Sequence, residues 1–244
     1  MSYTFFGHQI IHLEHVDSTN NYTAKVFKSG ELQPGSVIMA DIQTNGRGQR
    51  NKTWQSDAYE NLTFSLTADI NLWKINSLID LNRLIALSLQ TFFTEIGLLA
   101  KVKWPNDIMV NDKKVCGILI ENFFQSGKPK SIIGIGINVN QKTFKAPRST
   151  SIYNEKHHNF IPRELLEILL HSLNKSFNNL PIRDSSKIKE EYDNRLWKRE
   201  ENTVFELESE GSISGRIIGS TEDGNLQIES NNKVRIFRNG MIKY

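Results

Sequence analysis

Residues 103–121 read KWPNDIMVNDKKVCGILIE. The first residues close a strand that begins with AKVKWP, because Pro105 fixes its own backbone and offers no N–H to a continuing ladder. Asn106 and Asp107 therefore fall at a strand end, where polar groups can project into a crevice. Asn111-Asp112 is a two-residue turn signal that sends the chain back along KKVCGILIE, with Lys114 early on the returning strand. Taken alone, the stretch reads by default as a hairpin whose polar residues merely face solvent.

Working outward, SIIGIGINVN (131–140) and KVCGILIEN (114–122) are nearly continuous apolar runs, as expected of strands covered on both faces. GSVIMADIQT and ENLTFSLTADI are two further strands, the second with Leu62, Phe64 and Leu66 alternating against polar neighbours. Helical spacing runs from Ser77 to Gly97 and again through PRELLEILLHSLNKSFNNL, where Pro162 suits a first helical position. Asp17 and Ser18 are N-cap residues for a helix that stops at Gly30, and another helix spans about Ser185 to Trp197. After Arg199 the pattern changes to short strands punctuated by Gly211, Gly215, Asp223-Gly224, Asn231-Asn232 and Asn239-Gly240. The expectation is an α+β protein, with a mixed β-sheet and packed helices over 1–198 and a small all-β barrel over 199–244.

The length of 244 residues is enough for a sizeable core, and 38% hydrophobic with 23% charged residues is ordinary for a globular chain. A net charge of +3, spread along the sequence, makes no case for nucleic-acid binding. One cysteine, Cys116, excludes an internal disulfide and points to a reducing, cytoplasmic setting. The start lacks a signal-peptide pattern, and no apolar run approaches the ~20 residues that span a bilayer.

Gly46-Arg47-Gly48-Gln49-Arg50 follows an apolar strand. Glycines let backbone N–H groups approach an anion, and arginine adds a planar donor fork, but a plain surface turn has the same composition. Gly134 and Gly136 interrupt an apolar strand, which suits either a flat ligand against the backbone or a close strand–strand approach. Asn138 then ends that strand with an amide able to read a donor–acceptor edge.

In order, the segments are DSTN (17–20), Q-x-x-GRG-x-R-x-x-x-W (43–54), KWPND (103–107), K-x-x-GIL-x-E (114–121) and GIGIN-x-N (134–140). This order resembles that of the biotin–protein ligases, from about Asp17 to Asn140. The resemblance implies a class II synthetase-like catalytic domain with a small SH3-like C-terminal barrel. It implies that biotin is activated with ATP to biotinyl-5′-AMP and passed to one lysine of a carrier, the biotin carboxyl carrier of acetyl-CoA carboxylase being the natural partner. It implies that Ser18, Thr19, Asn20 and Gln43 line the biotin pocket together with Gly117 and Gly136. Gly46, Arg47, Gly48, Gln49 and Arg50 would fold over carboxylate and phosphates, and Lys114 would contact acyl and phosphate oxygens. Trp54 corresponds to a tryptophan that packs on adenine, with Asn106 and Asn138 at nucleotide-contact positions.

The chemistry agrees with that assignment. Biotin's own carboxylate attacks the α-phosphate, so no protein nucleophile is needed; the protein must join two anions and stabilise developing charge. Arg47 and Lys114 are the expected catalytic cations, and Mg²⁺ would arrive on the ATP phosphates without a dedicated protein cage. Many relatives carry arginine where Gln49 stands, so Arg50 is a candidate substitute for that charge.

The DSTN segment lies so near the start that no winged helix-turn-helix, and hence no sequence-specific DNA binding, is expected. The resemblance leaves monomer and homodimer both open. A lipoate or octanoate ligase of the same fold and a non-catalytic biotin-binding regulator are the competing functions. His157-His158 is read as a solvated loop, Cys116 as a small buried hydrophobe, and KIKEEYDNRLWKREEN as a solvated helix face.

Overall fold

The computed structural model describes residues 3–209 and 211–244. Seven strands form the main sheet: β1 (Ile10–Val16), β2 (Val37–Gln43), β3 (Leu62–Ala68), β4 (Ala100–Lys103), β5 (Asp107–Val110), β6 (Lys113–Gln125) and β7 (Lys128–Ile137). Their order is β1-β2-β3-β7-β6-β5-β4. Only the β1–β2 pair is parallel, so the sheet is mixed as expected. The Asn111-Asp112 turn has φ of 46° and 59° at its two central residues, the left-handed pair that matches hairpin twist.

The helices are α1 (Thr19–Lys28), α2 (Ile70–Trp73), α3 (Leu78–Glu95), α4 (Ile152–Lys156), α5 (Pro162–Asn179) and α6 (Ser185–Asn194). Ser77 caps α3 by accepting from the Asp80 N–H at 3.0 Å. The apolar stripes of α3 and α5 pack on one sheet face over Phe64, Leu66, Ile133, Ile135 and Ile137. Alternation along β7 sends Gly134 and Gly136 to the other face, where Ser65 and Thr63 of β3 are their respective neighbours in register. That face carries α1, held by Phe27, Ile38 and Ile132. The GIGIN run therefore divides its two residue types between a packed face and a face of small residues.

A five-stranded antiparallel sheet follows: β8 (Thr203–Leu207), β9 (Ser212–Ser220), β10 (Leu226–Ser230), β11 (Lys233–Phe237) and β12 (Ile242–Lys243). Its order is β11-β10-β9-β8-β12, and among the described residues no β11–β12 pairing closes it into a barrel. Arg83 of α3 joins the two sheets. It pairs with Asp80 at 3.5 Å and donates to the Thr221 carbonyl at 2.6 Å, with both charged side chains almost fully buried.

The edge strand β1, unassigned from sequence, turns Ile11 and Leu13 inward between exposed Ile10, His12 and Glu14. Two expectations need refinement. The helix expected to end at Trp197 stops at Asn194, and Leu196 and Trp197 pack into the protein. Its solvated face is real for Lys187, Glu190 and Glu191, while Ile188, Tyr192 and Asp193 are buried. His157 and His158 are exposed, as expected. No helix among the described residues is long and apolar enough to cross a membrane.

Candidate active site

The small-residue face of the main sheet floors a cleft of about 910 Å³. Its walls are the start of α1, the 46–55 loop, the β4–β5 turn, residues 144–149 and the last residues of the C-terminal sheet. Every residue named from sequence as a biotin contact or catalytic cation lines this cleft except Gly46, which is buried under the loop.

The 46–54 segment is a closed hairpin. Trp54 N–H donates to the Gly46 carbonyl at 2.9 Å, and Gly48 N–H to the Lys52 carbonyl at 2.7 Å. A Cβ at Gly46 would stand 2.5 Å from the Trp54 carbonyl, so the close approach of the two arms requires glycine there. The tip is a turn of 3₁₀ helix, Gln49–Asn51, with Arg50 in the left-handed region at φ 55°. This hairpin seats the Trp54 indole against Gly117 and Gly136, where a Cβ would stand 3.0 and 2.3 Å from ring atoms. The two glycines thus make room for a flat group, and the group seated on them here is Trp54.

Lys114 and Gly117 are three residues apart, which on a regular strand would put them on opposite faces. They share a face because β6 carries one extra residue: Cys116 pairs with Ile108, Lys114 with Met109, and Val115 is the bulge between them. The Lys114 ammonium consequently reaches the Asp107 carboxylate at 2.7 Å and lies 5.5 Å from the Trp54 ring centroid. Cys116, beneath it, is buried, and burial pushes its thiol far above the ordinary range.

At the inner end of the cleft, Thr19 N–H donates to Gln43 Oε1 at 2.9 Å. Ser65 Oγ donates to Asn20 Oδ1 at 2.7 Å, and Asn20 Nδ2 donates to the Glu121 carboxylate at 2.8 Å. Arg47 Nη2 donates to the same carboxylate at 2.5 Å. Asn106 and Asn138 line the cleft, but their amides are engaged with backbone: Asn106 donates to the Ile118 carbonyl at 2.6 Å and Asn138 to that of Thr150 at 2.8 Å. Both act here as clamps, Asn106 on β6 and Asn138 on the segment that crosses beside Lys114.

Arg50 points to the C-terminal sheet, 3.6 Å from Glu208 and packed across Gly240, and Gln49 Oε1 accepts from Asn239 Nδ2 at 2.8 Å. Several residues of the site were not singled out from sequence: Asp107 as partner of Lys114, Arg148, Asn239 and Gly240 in the walls, and Glu121 and Ser65 behind them as partners of Asn20. The K-x-x-GIL-x-E spacing contained the signal for Glu121, since residues 117, 119 and 121 alternate onto one face. Lys103, also lining the cleft, has its pKa lowered by burial, and Lys114 and Arg148 add to the effect against the opposing Asp107. Cationic charge is crowded at this end, as a site for anionic groups requires.

The model of the biotin/lipoate A/B protein ligase family matches residues 13–140, and the chain belongs to that family. It is 35% identical over 144 residues to the bifunctional ligase/repressor BirA of Bacillus spizizenii, covering 58% of this chain and 43% of that protein. Biotin–protein ligase 1, chloroplastic, of Arabidopsis thaliana is 27% identical over 239 residues, 91% of this chain and 62% of that one. The chain thus spans about two fifths of the BirA relative. In structure it is similar to the biotin protein ligase of Aquifex aeolicus in complex with biotin and ATP. The TM-score is 0.79 at 26% identity, covering 97% of this chain and 98% of the other.

Proposed function

We propose that this protein is a biotin–protein ligase. It activates biotin with ATP to biotinyl-5′-AMP and transfers the biotinyl group to a lysine of a biotin carboxyl carrier domain, that of acetyl-CoA carboxylase or a related carboxylase. The observation that carries the reading is a single cleft with two chemically distinct ends. Hydrogen-bonding side chains (Thr19, Asn20, Gln43) stand at the inner end with Arg47 beside them, and the second cation, Lys114, stands towards the mouth. The inner end offers polar donors and acceptors, which a cyclic urea can hydrogen-bond and a dithiolane cannot. The carboxylate of the same molecule then falls under the cations, where ATP phosphates meet it.

Arg47 and Lys114 bring two anions together and stabilise the charge that develops as the biotin carboxylate attacks the α-phosphate and pyrophosphate leaves. The closed hairpin shields the reactive mixed anhydride from water. Magnesium arriving on the ATP phosphates would supply further charge neutralisation, and the Asp107 carboxylate beside Lys114 is an oxygen donor of the type it would accept. The relatives' names and the biotin- and ATP-bound Aquifex structure support this assignment.

The test is ATP–pyrophosphate exchange with biotin, with lipoate, and with neither. Exchange dependent on biotin alone is expected. Exchange with lipoate alone would make the protein a lipoate ligase, and tight biotin binding without exchange would make it a regulator.

A further inference from the structure

We propose that Glu121 is the positioning residue of this site: it holds Arg47 over the cleft and ties the hairpin to the pocket floor through Asn20. The proposal rests on the ligase reading only for its kinetic consequence.

The geometry is specific. Glu121 follows Gly117 and Leu119 on the cleft-facing side of β6. Its Oε2 accepts from Arg47 Nη2 at 2.5 Å and from Asn20 Nδ2 at 2.8 Å. Arg47 and Glu121 side chains are 37% and 35% exposed, and an ordinary ion pair at that exposure contributes little. What distinguishes this pair is its second partner. Asn20 is buried to 3% exposure and held by Ser65 Oγ on its oxygen and by Glu121 on its nitrogen. It fits only because residue 134 is glycine, where a Cβ would stand 2.3 Å from Asn20 Oδ1. Ser65 Oγ also lies 2.8 Å from Thr19 Oγ1, and Thr19 N–H bonds Gln43. A continuous polar chain therefore runs from Arg47 through Glu121, Asn20, Ser65 and Thr19 to Gln43.

A guanidinium has five N–H donors, so the bond to Glu121 leaves most of the fork for an anion. Glu121 thus fixes the position of Arg47 without consuming its capacity to bind. Because Glu121 acts through Arg47, its loss lowers the rate of the chemical step and leaves substrate binding nearly unchanged.

The test uses the full chain and Glu121→Gln, which keeps an oxygen for Asn20 and removes the charge that holds Arg47. In biotin-dependent pyrophosphate exchange, kcat should fall about tenfold or more, with KM for biotin and ATP changed less than about threefold. On an Arg47→Ala background, Glu121→Gln should add less than about twofold. Limited trypsin digestion without substrate should cleave after Arg50 or Lys52 several-fold faster in Glu121→Gln than in wild type. Unchanged kcat, a loss confined to KM, a full additional loss on the Arg47→Ala background, or unchanged hairpin cleavage would each overturn the proposal. Wild-type protein without biotin-dependent exchange would instead overturn the ligase reading, and the trypsin comparison would still judge the anchoring.

Discussion

The Trp54 indole lies directly on Gly136: a Cβ at that glycine would stand 2.3 Å from Trp54 Cε2. Gly136 sits near the C-terminal end of β7 and pairs on both sides, with Gly117 of β6 and Thr63 of β3. A side chain there can move only the indole. Gly136→Ala is expected to keep the fold, to cost about 1–3 kcal/mol as overpacking, and to shift the tryptophan emission. Denaturant unfolding followed by fluorescence measures both, and an unchanged midpoint with unchanged emission would refute the contact.

Lys114 reaches the mouth of the cleft because of the Val115 bulge. Lys114→Met removes the cation and leaves Asp107 without its partner. Loss of one preorganised charge of this kind typically lowers kcat by about 10² to 10³. Biotin-dependent pyrophosphate exchange should show that loss in kcat, and a change in KM alone would assign Lys114 to binding.

The hairpin tip is tied to the C-terminal sheet through Gln49 with Asn239 and through Arg50 across Gly240. Gly240 has φ 90°, and a Cβ would overlap the Arg50 guanidinium at 1.6 Å. Gly240→Ala is therefore strained twice and should release the tip. Arg50→Ala, which only removes the contact, separates the two causes. If Arg50 serves as the substitute charge for Gln49, its removal should lower turnover and speed loss of the adenylate. If it serves only as a tether, Asn239→Ala should reproduce its effect.

Arg83 and Asp80 are 3% and 2% exposed, and Arg83 also holds the Thr221 carbonyl of the second sheet. Removing one member of a buried pair leaves an uncompensated charge, at a cost of about 3–5 kcal/mol. Arg83→Met should show that loss in urea unfolding and should loosen the C-terminal sheet first, seen as hydrogen exchange over β9 and β10. Equal protection in the two proteins would show that other contacts dock that sheet.

The Cys116 thiol is fully buried, and burial raises its pKa. Below the raised value the thiol is uncharged and unreactive, so alkylation at pH 8 should be negligible in the folded protein and complete in denaturant. Modification of the native protein at rates of an exposed thiol would contradict its placement.

Much of this was legible in the sequence where local chemistry is sufficient. The hairpin at Asn111-Asp112 follows from residues that tolerate left-handed backbone, and the stops at Pro105 and Gly97 follow from their own restrictions. The α3 and α5 spans follow from a repeating apolar stripe with a serine cap and an N-terminal proline. The edge strand β1 was hard to read because it is only partly covered: Ile11 and Leu13 face the protein while the apolar Ile10 is exposed. The short helix α4 has too few residues to display a period.

The site divides along the same line. The family resemblance carried by the order of motifs along the chain marked the glycine loop, the KWPND turn and Lys114, each of which alone fits an ordinary turn or hairpin. Tertiary structure alone placed Trp54 on Gly136, gave Arg47 to Glu121 and tied Gln49 to Asn239. Arg47 and Glu121 are 74 positions apart, and Gln49 and Asn239 are 190 apart. Such partners meet through strand register, one bulge and the docking of a second sheet. Local periodicity contains none of these, because a side chain's propensity says which face it occupies and not what lies across from it.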